Sequence, residues 1–77
     1  MTRSLYNWTA KSVIKFLERY GFHNTHTRGS HYYYSGKYEG RDHQVVVPVH
    51  GNKSIKPRTL KGIIAQSGIC KEKWFYE

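Results

Sequence analysis

Seventy-seven residues make one small domain, expected to span 1–77, with room for only a thin core. Thirteen Lys and Arg against five Asp and Glu give a formal charge of +8; a field of that sign draws polyanions, nucleic acid first and an anionic membrane second, the alternative being charge that serves solubility alone. The single cysteine, Cys70, excludes an intramolecular disulfide and a CxxC metal clasp, the 38% hydrophobic share excludes a disordered chain, and no apolar run is long enough to cross a membrane.

The first element is a helix. Thr9 has the side chain of an N-cap, and Trp8 and Val13 hold the two positions of a hydrophobic staple around it. Val13, Phe16, Leu17 and Tyr20 then recur at helical spacing, and Gly21 follows as a terminator. The spacing predicts a helix from residue 9 or 10 to 20.

Three extended stretches follow. Residues 22–27 are short and polar, 31–37 are rich in Tyr, and 43–49 carry Val45, Val46, Val47 and Val49. β-Branched and aromatic residues favour strands. Gly29-Ser30 joins the first pair tightly, and residues 38–42 join the second pair as a loop. Connections this short make the sheet antiparallel. Pro48 donates no ladder hydrogen bond, so the third strand belongs at an edge or ends there.

Residues 50–54 read as a loop. Pro57 suits the first position of a second helix, with Ile55 and Leu60 at staple spacing. Leu60, Ile63 and Ile64 mark its apolar face, and Gly68 stops it. The tail ends in Trp74-Phe75-Tyr76, three rings expected to cap the core, from a short last turn of helix. The predicted fold class is α+β, in the order α-β-β-β-α, with two helices on one face of a three-stranded antiparallel sheet. This is the layout of a double-stranded-RNA-binding-type domain.

Strand alternation bears on Arg28-Gly29-Ser30-His31-Tyr32-Tyr33-Tyr34. With His31 toward solvent, Tyr33 and Ser35 share its face, while Tyr32 and Tyr34 point to the helices. Tyr33 is then either a half-exposed strand residue or a ring on which a nucleobase stacks. Imidazole titrates near neutral pH without special help. At a hairpin corner in a positive field, His31 can take a proton from a ribose 2′-hydroxyl or give one to a leaving 5′-oxygen; the alternative, and the commoner role of a lone histidine on a strand, is structural. Lys53, Lys56, Arg58 and Lys61 gather in sequence around the start of the second helix. Cations there oppose the helix dipole, an arrangement that suits a visiting phosphate; the alternative is a solvated basic surface. His23, His26 and His43 read as surface histidines. His50 stands apart: just before the basic loop, it can contact phosphate or serve as a second proton-transfer group. None of these has metal-ligand spacing, and no metal or other cofactor is expected.

Gly21-Phe22, then Arg28-Gly29-Ser30-His31, then Val45-Val46-Val47-Pro48-Val49-His50-Gly51-Asn52-Lys53, then Ile55-Lys56-Pro57-Arg58-Thr59-Leu60 with Ile63-Ile64 and Ser67-Gly68-Ile69 stand in this order. Together they resemble the HicA toxins of bacterial and archaeal toxin–antitoxin pairs. The resemblance implies a metal-independent ribonuclease that cleaves messenger RNA, on a double-stranded-RNA-binding-like fold. It implies that the histidine of the Gly-Ser-His element, here His31, is catalytic. It also implies a HicB-type antitoxin that covers the active face. Where many members of that family carry a second histidine after the first, this chain has Tyr32.

Taken together, the expected site is His31 for catalysis, with Arg28, Gly29, Ser30, Tyr33, His50, Lys53, Lys56, Arg58 and Lys61 toward RNA. The toxin is expected to be monomeric when free and cytoplasmic, with no membrane partner. Two alternatives share the charge: a non-catalytic RNA-binding module of the same fold, and a basic protein-interaction domain.

Overall fold

Local signals set the helix ends. The structure, a computed structural model, describes residues 7–75. Helix α1 (Ala10–Arg19) starts at Thr9, whose hydroxyl accepts from the Ser12 N–H at 3.2 Å, while the Thr9 N–H donates back to Ser12 Oγ at 2.9 Å. This reciprocal capping box adds Ser12 to the cap that the sequence predicts. The helix ends in a Schellman turn: the Gly21 N–H donates to the Glu18 carbonyl and the Phe22 N–H to that of Leu17. Gly21 takes φ 86°, which a Cβ would disfavour.

The strands are β1 (His23–Arg28), β2 (His31–Tyr38) and β3 (Arg41–Pro48), one antiparallel sheet in the order β1-β2-β3. As predicted, β3 is an edge strand and ends at Pro48. The link between β2 and β3 is tighter than the expected loop. It is a two-residue turn, Glu39-Gly40, with φ 51° and 80°, the two positive values of a type I′ turn. Glutamate is an unusual residue there, which is why the sequence reads as a longer connection. Helix α2 (Pro57–Ser67) begins at the expected proline and ends at left-handed Gly68, and α3 (Lys71–Phe75) is the short final turn. The architecture is the predicted α-β-β-β-α, with α3 appended. No helix among the described residues is long and apolar enough to cross a membrane.

The core lies between the helices and one face of the sheet. It contains both staple pairs, Trp8 with Val13 and Ile55 with Leu60, together with Phe16, Leu17, Tyr34, Val45, Val47 and Ile63. Trp74 of α3 stacks on Phe16 with ring centroids 3.9 Å apart, and Phe75 packs at the margin. The tail rings therefore cap the core as expected, except Tyr76, which lies outside the described residues. Strand β1 contributes nothing apolar, all six residues being exposed. The outer edge of β3 is covered in part by α2: the Val46 N–H donates to Gln66 Oε1 at 2.9 Å.

Two glycines make opposite predictions. A Cβ at Gly36 would meet Phe22 Cγ at 2.6 Å and Phe22 Cα at 2.9 Å, so backbone must move; a Cβ at Gly62, inside α2, meets nothing within 4 Å. In denaturant titrations Gly36→Ala should lose about 1–3 kcal/mol. Gly62→Ala should gain about 0.5–1 kcal/mol from its better helix propensity and a less flexible unfolded chain. Burial, then the Glu18 carboxylate and Tyr32, push the Tyr34 phenol above its ordinary 10.0. The fold thus favours the neutral phenol, whose contribution is complete below about pH 10 and is lost as pH rises through the raised value. Tyr34→Phe should flatten the loss of stability above that pH, read from melting temperatures in an alkaline series.

Candidate functional site

Directly paired residues in an antiparallel sheet share a face. Tyr34 pairs with Val45 and Tyr32 with Val47, and these four point toward the helices. The intervening rows therefore form the open face. They are Arg28–His31–Pro48, His26–Tyr33–Val46 and His23–Ser35–Gln44, with Lys37–Asp42 beyond them. As predicted, His31, Tyr33 and Ser35 share one face and the other two tyrosines pack inward. Position 32 could not bring a second side chain beside His31, because it points through the sheet.

His31 is the first residue of β2 and is exposed. Its corner is defined by a tight turn and a hydrogen bond to β3. Gly29 opens the two-residue turn with φ 58°, as such a hairpin turn requires at that position. The Ser30 carbonyl accepts from the Val49 N–H at 2.8 Å, which ties the turn to the end of β3. Arg28 stands directly across the strand pair. The His31 ring has no hydrogen-bond partner among the described residues, so both nitrogens can meet a ligand. Gly29 is exposed and Ser30 half-buried. Both shape the corner through the backbone.

Next to this corner is a cleft of about 440 Å³, lined by Pro48, His50, Lys53, Ser54, Ile55, Lys56 and Thr59. Pro48 is the cross-strand partner of His31, so the cleft begins one strand away from the imidazole. Its walls are fixed by the chain ahead of α1. The Ile55 N–H donates to the Trp8 carbonyl at 2.7 Å, and Thr9 and Ser54 form a β-bridge. The Lys53 N–H donates to the His50 carbonyl at 3.3 Å and closes the loop. The N-terminus of α2 opens here. Lys56 is its N-cap without a side-chain cap bond, and its first turn holds no acid. The site is electropositive by helix dipole and by side chain.

The expected basic cluster divides. His50, Lys53 and Lys56 come together in the cleft. Lys61 instead lines a second groove, of about 500 Å³, with Ile64, Cys70, Lys71 and Phe75. Residues two apart on a helix are about 200° apart around the axis, so Lys61 faces away from Thr59. Arg58 is exposed and lines neither groove. Adjacency in sequence is not adjacency around α2.

Of the expected surface histidines, His23 and His26 are exposed and His43 is not. His43 is half-buried and packs on Gly68, where a Cβ would fall into its ring. His26 is exposed but not isolated: its ring stacks on Tyr33 with centroids 4.1 Å apart and planes 13° from parallel. Alternation from His23 would have turned His26 inward. A register shift between Asn24 and His26 leaves Thr25 as an extra residue and reverses the phase. Among the described residues no three of His, Cys, Asp and Glu come together as a metal site would require.

Comparison with known families matches residues 10–69 to the model described as HicA toxin of bacterial toxin-antitoxin. No curated protein and no solved structure matches the chain. The matched span runs from the first residue of α1 to just beyond α2, and it contains the His31 corner, the cationic cleft and the whole sheet. The chain belongs to the HicA family of toxins from bacterial toxin–antitoxin systems.

Proposed function

We propose that this toxin is an endoribonuclease, on a double-stranded-RNA-binding-like fold, that cleaves messenger RNA in the cytoplasm. In this reading a HicB-type antitoxin neutralises it, it is a monomer when free, and His31 is the catalytic residue. The observation that carries the reading is an exposed imidazole with no hydrogen-bond partner among the described residues, at a hydrogen-bonded hairpin corner, one strand from an electropositive cleft.

Phosphodiester cleavage needs aligned atoms, proton transfer and compensation of charge on phosphorus. Ribose carries its own nucleophile, the 2′-hydroxyl. His31 takes its proton as the oxygen attacks phosphorus. Arg28, opposite His31 in the strand pair, neutralises the phosphate that is attacked. His50, Lys53 and Lys56 hold the next phosphate at the mouth of α2, and Gly29 and Ser30 let the backbone approach closely. Tyr33 offers a stacking surface to a base beside the cut. Arg58 and Lys61 touch only RNA long enough to pass around α2. The chemistry draws on these side chains alone and needs no metal ion. The antitoxin, with an acidic surface matching the +8 charge, closes the same face.

His31→Ala should lower cleavage by 10²–10⁴-fold, a range of about 3–5 kcal/mol in the barrier. RNA affinity should hardly change, because one imidazole adds little to a multi-phosphate contact. Cut RNA should carry 2′,3′-cyclic phosphate and 5′-hydroxyl ends; ends with 3′-hydroxyl and 5′-phosphate would mean that water attacked instead. A binding module of the same fold would give no cleavage to lose. Lys53→Ala and Lys56→Ala should each reduce the salt dependence of binding by roughly one ion, while Lys61→Ala leaves it unchanged for an RNA of a few nucleotides.

A further inference from the structure

The bulge in β1 gives the open face a second imidazole, and the bulge is tied in place. The Asn24 side-chain amide donates to the carbonyls of His26 and Tyr33 at 3.2 and 3.1 Å, and the Thr25 hydroxyl donates to the Tyr33 carbonyl at 3.3 Å. Bulges of this kind re-aim a side chain, and here the result is that His26 joins Arg28 and His31 on one face.

His26 is held from two directions. Tyr33 stacks on its ring, and Thr25 Oγ1 lies 3.2 Å from its Nδ1. In the protonated, acid form of the ring both nitrogens carry hydrogen, so Nδ1–H donates to Thr25 Oγ1. Nε2–H is then left to donate to a substrate oxygen. His26 pairs with Tyr33 and His31 with Arg28, which makes the two histidines diagonal neighbours across β1 and β2. That relation sets side chains about 7–8 Å apart. Such a gap suits two imidazoles on either side of one phosphodiester, where the attacking and leaving oxygens stand on opposite sides of phosphorus.

We propose that His26 is the general acid of the cleavage reaction. The assignment rests on the ribonuclease reading above. As the bond from the 2′-oxygen to phosphorus forms, the bond from phosphorus to the 5′-oxygen breaks and its electron pair leaves with that oxygen. The 2′-hydroxyl proton passes to His31, and the proton on His26 Nε2 passes to the 5′-oxygen. The products are a 2′,3′-cyclic phosphate and a 5′-hydroxyl. The titratable or charged groups around His26 are Arg28 and His23 on its own strand and Tyr33 and His31 on β2. In the same rows β3 presents the uncharged Val46 and Pro48, and no described helix covers this face. His50 is the competing candidate, but it lines the cleft with Lys53 and Lys56, a setting for binding phosphate.

The test compares ordinary RNA with RNA whose scissile 5′-oxygen is replaced by sulfur, a leaving group that needs no proton. His26→Ala should cleave ordinary RNA 10²–10⁴-fold more slowly than the native toxin. It should cleave the sulfur-bridged RNA within a few-fold of the native rate, and its rate on ordinary RNA should lose the fall at high pH. His26→Gln, which keeps a polar side chain of similar reach, should behave in the same way. His31→Ala should stay slow on both substrates. Near-native cleavage of ordinary RNA by His26→Ala overturns the assignment, as does equal slowing on both substrates. Rescue of His50→Ala by sulfur would move the role to His50. A native toxin that cuts neither substrate removes the ribonuclease reading itself, and the assignment with it.

Discussion

The pleat of β2 decides what this molecule presents to solvent. One face of the sheet is committed to the core through Tyr34, Val45 and Val47, and the helices cover it. Alternation then leaves His31, Tyr33 and Ser35 no choice but the open face. A one-residue slip would bury the imidazole and expose the valines. The register is held by apolar burial, by two-residue turns at both ends of β2, and by the bond from Val49 to Ser30. The residue that does the proposed chemistry is therefore positioned by residues that do none.

The second constraint is how α2 enters the fold. Pro57 starts the helix, Ile55 and Leu60 anchor it, and the bond from Ile55 to Trp8 fixes the approach. These contacts bring an uncapped, acid-free helix start to the end of β3. Lys53 and Lys56 add charge where the dipole is already positive, which weakens the isolated helix and strengthens the attraction for phosphate.

Much of this was legible in the sequence because the signals are local. Thr9, Gly21, Pro57 and Gly68 mark helix ends by their own conformational preferences, and Tyr and Val runs mark strands. Pro48 announces where β3 stops. The face of His31 follows from alternation once Tyr34 is placed in the core. What was not legible depends on contacts distant in sequence or on small register changes. Nothing local says that Thr25 is an extra residue, because the bulge is fixed by side chains reaching the Tyr33 carbonyl on the next strand. His43 looks like a surface residue until Gly68 arrives beneath it. Lys61 looks like part of the phosphate cluster until the rotation of α2 is counted.

The account stands on RNA lying across the open face and into the cleft below α2. The most direct measurement is a nuclear magnetic resonance titration of the isotope-labelled toxin with a short 2′-O-methyl RNA, which binds but has no nucleophile. The account predicts that the imidazole signals of His31 and His50 and the backbone signals of residues 28–33 and 50–56 shift together and saturate at one stoichiometry. Shifts confined to the groove between α2 and α3, with His31 unmoved at saturating RNA, would contradict it.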